Sequence, residues 1–185
     1  MSIFSFFYFV NIIAFILSLI VSFKIKIKTN KKPLPILFLV PLIIAFFFLA
    51  GIAISPLFLI VSFLSGLFLL YYSIKNEEIV LSTVVIERAP VLIAVLFLAN
   101  FIGGTLFSIA RYATSGDKSV LAFILISGIF LIASSRAVLF SLITYLLKQK
   151  GYSKKAGFTL GILGFFGLLI TLILVDNKNS TYQGE

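Results

Sequence analysis

The chain has no cysteine, no histidine and no tryptophan, and its one methionine is Met1. The usual axial ligands of haem and the usual ligands of zinc, copper and iron–sulfur centres are therefore missing, and no resident metal or cofactor is expected. Disulfides and thiol redox chemistry are excluded, as are Ser/His/Asp and Cys/His nucleophilic catalysis. Negative charge is scarce as well: 6 acidic residues stand against 15 basic ones in 185 residues. None of the acidic residues lies inside a long apolar run. That argues against ion relays built on buried carboxylates and against membrane proteases of the paired-glutamate type.

What remains is apolar. Hydrophobic residues make up 61% of the chain and charged residues 11%, against about 45–50% and about 25% in a soluble domain. One soluble core cannot absorb this excess, so the chain reads as all-α, a polytopic membrane helical bundle in one domain. The many Phe, Ile and Lys residues suggest an AT-rich microbial genome, and a prokaryotic plasma membrane is the simplest assumption. The net charge of +9 does not point to nucleic acid. The basic residues sit in short loops between apolar runs, where they set topology and attract anionic lipid.

Six spans are predicted, over residues 3–23, 34–54, 57–74, 89–110, 119–147 and 156–175, with a polar, disordered tail over 176–185. Ser55–Pro56 divides a run too long for one crossing into two helices. The loop after the first span carries five Lys, the third loop two basic residues and the fifth loop four, against Arg111, Lys118 and Lys178 on the other side. Eleven against three is a strong positive-inside bias, and it predicts both termini outside. Between the third and fourth spans the β-branched stretch at 78–87 predicts a short strand or hairpin on the inner surface, or else an extra helical turn.

The fifth span organises the rest. Ser119–Leu147 would make a helix about 43 Å long, longer than the ~30 Å hydrocarbon layer. Either it tilts and projects, leaving Arg136 about 18 Å from Lys148 at mid-depth, or it breaks near Ser134–Ser135 and Arg136 becomes interfacial. An intramembrane arginine marks a functional site by default, but it can also snorkel or pair with carbonyls and Asn100 for packing alone. If it is functional, its partner is anionic: Glu87 at the inner end of the fourth span, a lipid phosphate, or an anionic substrate, with Arg88 extending the site. Asn100 would line it.

Small residues supply the packing faces. Ala14, Ser18 and Ser22 recur every four residues on the first span. Gly157, Gly161, Gly164 and Gly167 form one stripe on the sixth, which suggests a tight contact within the chain or a homo-oligomer seam.

The order of features from about Ile12 to Lys150 resembles that of the small CcdC-type membrane proteins linked to cytochrome c maturation. It has a first span, a loop with Lys31–Lys32–Pro33, two spans, and an inner segment ending Glu87–Arg88–Ala89. A span closed by Arg111–Tyr112 follows, then a last one with Arg136 and Tyr145 before basic residues. Ser135 stands where that family has a tryptophan before the arginine, and a sixth span is added. The resemblance implies a multi-pass membrane protein and lends no catalytic residue.

Two functions are expected from this reading, with a weaker third, an enzyme acting on lipid phosphates through Arg136 and the inner lysines, for which the sequence offers no nucleophile. The first is a non-enzymatic accessory or assembly subunit of a larger membrane complex, with other membrane subunits as partners. The second is a small-molecule or lipid transporter, or a substrate-binding membrane subunit, in which Arg136 binds an anion.

Overall fold

Apolar helices of this kind have no preferred wet face, so their arrangement is set by packing and by where backbone and charge can be satisfied. The computed structural model describes residues 3–27, 36–84, 86–112 and 117–176. The expected tail beyond Asp176 and the Pro33–Pro35 stretch lie outside them. The helices are α1 (Ile3–Val21), α2 (Ile36–Ala53), α3 (Leu57–Lys75), α4 (Glu77–Thr83), α5 (Ala89–Tyr112), α6 (Lys118–Gln149), α7 (Lys154–Ile162) and α8 (Phe165–Ile173). Of these, α3, α5 and α6 are long and apolar enough to cross a membrane. Phe9–Lys24 and Phe38–Ala53 are shorter apolar helical stretches.

The long fifth segment is one unbroken helix, with Asp117 capping its start through Ser119 N–H (2.8 Å). The expected alternative of a break at Ser134–Ser135 does not occur. α6 touches α2, α3, α4, α5, α7 and α8. From Ala137 to Leu147 every residue is buried, which is the signature of a helix enclosed on all sides. Before Arg136 the burial loosens. α5 crosses α6 backbone to backbone: a Cβ on Gly103 would stand 2.8 Å from Gly128 O, and one on Gly128 would stand 2.9 Å from Gly103 O.

The expected sixth span is not a crossing helix. α7 runs antiparallel to α6, with Gly157 against Thr144, Gly161 against Phe140 and Gly164 beside Arg136. The chain then turns back, and α8 packs along α7 with Gly167 against the backbone of Leu160. Its end returns to the level where α7 began. Lys150 Nζ donates to Leu172 O (2.9 Å) and to Leu174 O, and the Tyr152 hydroxyl donates to Val175 O (3.1 Å). Each arm has nine residues, or about 13 Å, less than half the hydrocarbon thickness. Residues 156–175 therefore form a hairpin that enters and leaves at the lysine-rich end of the bundle. With it falls the expectation that the sixth segment exits at the opposite end from Lys150.

The expected strand at 78–87 is a second correction. Its first part is helix α4, whose Glu77 and Glu78 occupy the first turn, where carboxylates favour a helix. Val80 and Leu81 are buried and α4 packs on α6, so tertiary packing overrides the β-branched bias. Among the described residues the one β-type pairing is an isolated antiparallel bridge between Lys26 and Arg88.

α4 is clamped to the base of the hairpin by charge. The Glu77 carboxylate, 2% exposed, lies 3.2 Å from Lys148 Nζ and 3.0 Å from Lys154 Nζ. Lys148 also meets Glu78 at 2.7 Å, and Lys154 donates to Lys75 O at 2.9 Å. Burial alone would raise the Glu77 pKa, but hydrogen bonds from Lys154, its own backbone and Lys148 outweigh burial and hold it below the usual carboxylate range. A carboxyl depressed in this way stabilises the fold at neutral pH and ceases to as pH falls through its folded pKa. The unfolding temperature should thus decline on acidification below about pH 4. Glu77→Gln should cost about 1 kcal/mol at neutral pH, because both lysines are half-exposed and water screens the pairs. An unchanged acid slope in that variant would assign the slope to another group.

Candidate functional site

A hairpin whose turn lies about halfway along α6, beside Arg136, leaves space beyond its tip. That space is a cavity of about 620 Å³ between α1, α5, α6 and α8. α5 supplies most of its wall through Phe97, Asn100, Phe101, Gly104, Thr105 and Ser108. These positions recur at helical spacing and climb α5 by about 16 Å towards Tyr112. Asn11 comes from α1, Arg136 from α6 and Phe165 from α8.

The floor is aromatic and cationic. Phe15 stacks on Phe97 at 3.9 Å between centroids, and Phe165 meets both rings edge-on at 5.6 and 5.7 Å. This cluster closes the lower end of the cavity against the buried half of the bundle. Arg136 lies next to it, and none of the ion pairs among the described residues involves it.

Gly164 sets this geometry. Its φ of +65° and ψ of −132° mirror the first central position of a type II turn, a conformation that glycine adopts without a Cβ clash. A Cβ there would also stand 2.8 Å from Arg136 Nη1 and 3.0 Å from Asn11 Oδ1. The turn thus brings the hairpin tip, the guanidinium and an amide into one corner. The first N–H groups of α8 have no partner within the helix and begin at this corner, adding partial positive charge to that of Arg136. Hydroxyls and amides higher up (Asn100, Thr105, Ser108) offer both donors and acceptors, although Thr105 Oγ1 already donates to Phe101 O at 3.0 Å. The arrangement can hold an anion at its base and neutral polar groups above it.

The residues singled out from sequence separate into distinct places. Arg136 and Asn100 line the same cavity. Glu87 and Arg88 do not: they are exposed at the lysine-rich end, where Ile27 N–H donates to Glu87 O at 2.8 Å. Glu87 is therefore no counter-charge for Arg136. Ala14 and Ser18 are buried on α1, the helix that packs on α8 and α5, and Ser22 is buried in the 3-10 turn Ser22–Lys24 that follows it. The glycine stripe is shared out: Gly157 and Gly161 face α6, Gly164 forms the turn and Gly167 faces α7. Gly104 and Ser108, a spacing that suggests a helix seam, line the cavity instead, and a Cβ on Gly104 would meet nothing within 4 Å. Sequence reasoning missed Asn11 as a cavity residue and Gly128 as the partner of Gly103. The signal for Asn11 was its place seven residues, two helical turns, before Ser18 on one face of α1. No family model, curated protein or solved structure matches this chain.

Proposed function

We propose that this is a membrane protein that binds an anionic solute at mid-depth, acting as a transporter or as the substrate-binding subunit of one. In this reading α1, α2, α3, α5 and α6 cross the bilayer and α7–α8 enter and leave from the inner side. The N-terminus is outside and the C-terminal end inside. Moving the tail inward changes the basic count to twelve inside (Lys24, Lys26, Lys28, Lys31, Lys32, Lys75, Arg88, Lys148, Lys150, Lys154, Lys155, Lys178) against Arg111 and Lys118 outside, which strengthens the positive-inside bias. The inner lysines then meet anionic lipid headgroups. The cavity opens along α5 towards the outer face.

One observation carries the reading: a half-depth hairpin ends at a cation that has no acidic partner among the described residues, under a cavity of about 620 Å³ whose largely apolar wall carries Asn11, Asn100, Thr105 and Ser108. A charge at that depth is costly, and a bound anion compensates it. Pocket volume falls in the range of small-molecule sites. The accessory-subunit reading draws less support, because the glycines that suggested a partner seam are occupied by contacts within the chain.

The test is ligand-induced stabilisation of the purified protein in detergent, with butyl phosphate as the probe. A ligand at 100 times its Kd raises stability by about 2.7 kcal/mol, and that gain should vanish in Arg136→Gln while the variant still inserts. A gain of equal size in Arg136→Gln would sink the proposal. Labelling of single cysteines from outside should reach Ser119 and spare Tyr152; the reverse pattern would overturn the orientation.

A further inference from the structure

The cavity beside Arg136 is larger and more apolar than an inorganic anion needs. A volume of about 620 Å³ takes a whole small organic molecule. Much of the wall is hydrocarbon, from Ile12 on α1, Phe97 and Phe101 on α5 and Phe165 on α8. A bare oxyanion on Arg136 would leave that wall to water, whereas an apolar body covering it releases the water. The rings also share an orientation. Phe15 stacks on Phe97 with their planes 10° apart, and Phe97 and Phe101 lie 15° apart with centroids at 6.5 Å. The row begins at Phe15 in the floor and ends at Phe101, which lines the cavity and is 52% exposed. Phe101 stands one helical turn, about 6 Å, above Phe97, so a ring joined directly to a head group on the floor reaches its level.

We propose that the ligand of this site is an aromatic anion, a phosphate or carboxylate joined to a flat ring, with its acid group on Arg136 and its ring against Phe101. This rests on the anion-binding reading above and names the class of anion. Head and ring both lie in the one cavity between α1, α5, α6 and α8. The guanidinium fork suits the oxygens of the head. The ring adds one member to the row of phenylalanines, and ring–ring contacts of this kind contribute beyond the area they bury. A saturated ring of similar size buries comparable area without that addition.

That difference is the test. Binding of phenyl, cyclohexyl and butyl phosphate would be measured on the purified full chain, as wild type, Phe101→Leu, Phe101→Tyr and Arg136→Gln. Cyclohexyl phosphate is the more hydrophobic of the two ring esters, so partition into detergent favours it. We expect wild type to bind phenyl phosphate at least about threefold tighter than cyclohexyl phosphate. Phe101→Leu places a good helix former at a half-exposed position; it should lose the preference and still bind butyl phosphate. Phe101→Tyr keeps the ring and should keep the preference. Phe101→Met serves if Phe101→Leu does not fold. Cyclohexyl phosphate bound by wild type as tightly as phenyl phosphate overturns the proposal and leaves the anion-binding reading standing. So does a full phenyl preference in a folded variant without the Phe101 ring. Butyl phosphate bound equally by wild type and Arg136→Gln, or by neither, removes the anion-binding reading and this proposal with it.

Discussion

Gly167→Leu should lower the unfolding temperature by about 10 °C and scatter the protein on size exclusion. At this position a Cβ would stand 2.6 Å from the Leu160 carbonyl carbon and 3.2 Å from Leu160 Cα. These are backbone atoms inside α7 and cannot swing aside as a side chain would. The two arms must therefore separate, and Thr171 and Leu172, both buried on α8, leave their packing with them. Overpacking of this kind costs about 3 kcal/mol or more, which corresponds to roughly 6–12 °C in a chain of this size. Gly66→Leu is the control, since it adds the same side chain where space is open. If thermal unfolding shows equal loss in the two variants, the helix itself rather than the hairpin contact is responsible.

Gly164→Ala should fail differently, losing about 2–3 kcal/mol and the ligand response together. The backbone there is held at φ +65° and ψ −132°, and a non-glycine residue in such a region costs about 1–3 kcal/mol. The new methyl would also push on Arg136 Nη1 and Asn11 Oδ1, so the guanidinium leaves the floor of the cavity. Asparagine, which often tolerates left-handed helical backbone, should not rescue, because ψ here lies far from that region. Butyl phosphate stabilisation should be absent in Gly164→Ala and Gly164→Asn alike. A Gly164→Asn protein with wild-type stability and ligand response would show that the turn does not require glycine.

These two glycines illustrate what a sequence conveys and what it conceals. Hydropathy counts apolar residues and is blind to direction, so 20 residues from Ala156 to Val175 satisfy one crossing as well as two half-length arms. The turn lies in the middle of that run, and the glycine there looks like any member of a packing stripe. A donor for the returning carbonyls was present in Lys150, but its target was visible only in three dimensions. The central role of α6 was legible, because a long apolar run with one internal charge has few ways to sit in a bilayer. The strand expected at 78–87 failed because β propensity measures fit to a half-buried surface, whereas Glu77 is fastened by two lysines from distant helices. Asn100 beside Arg136 was legible from polarity. Their shared cavity was not, since it exists only because the hairpin stops short.

The shallow hairpin also constrains how the protein is made. Nine apolar residues are too few to be released sideways from a translocation channel as a membrane anchor, and the carbonyl and amide groups around Gly164 cannot face lipid tails. Under the proposed topology, α7 and α8 would reach their place only after α1, α5 and α6 stand together as a receiving wall. This segment would then enter from the face on which Lys154 and Lys155 remain, after the longer helices are threaded.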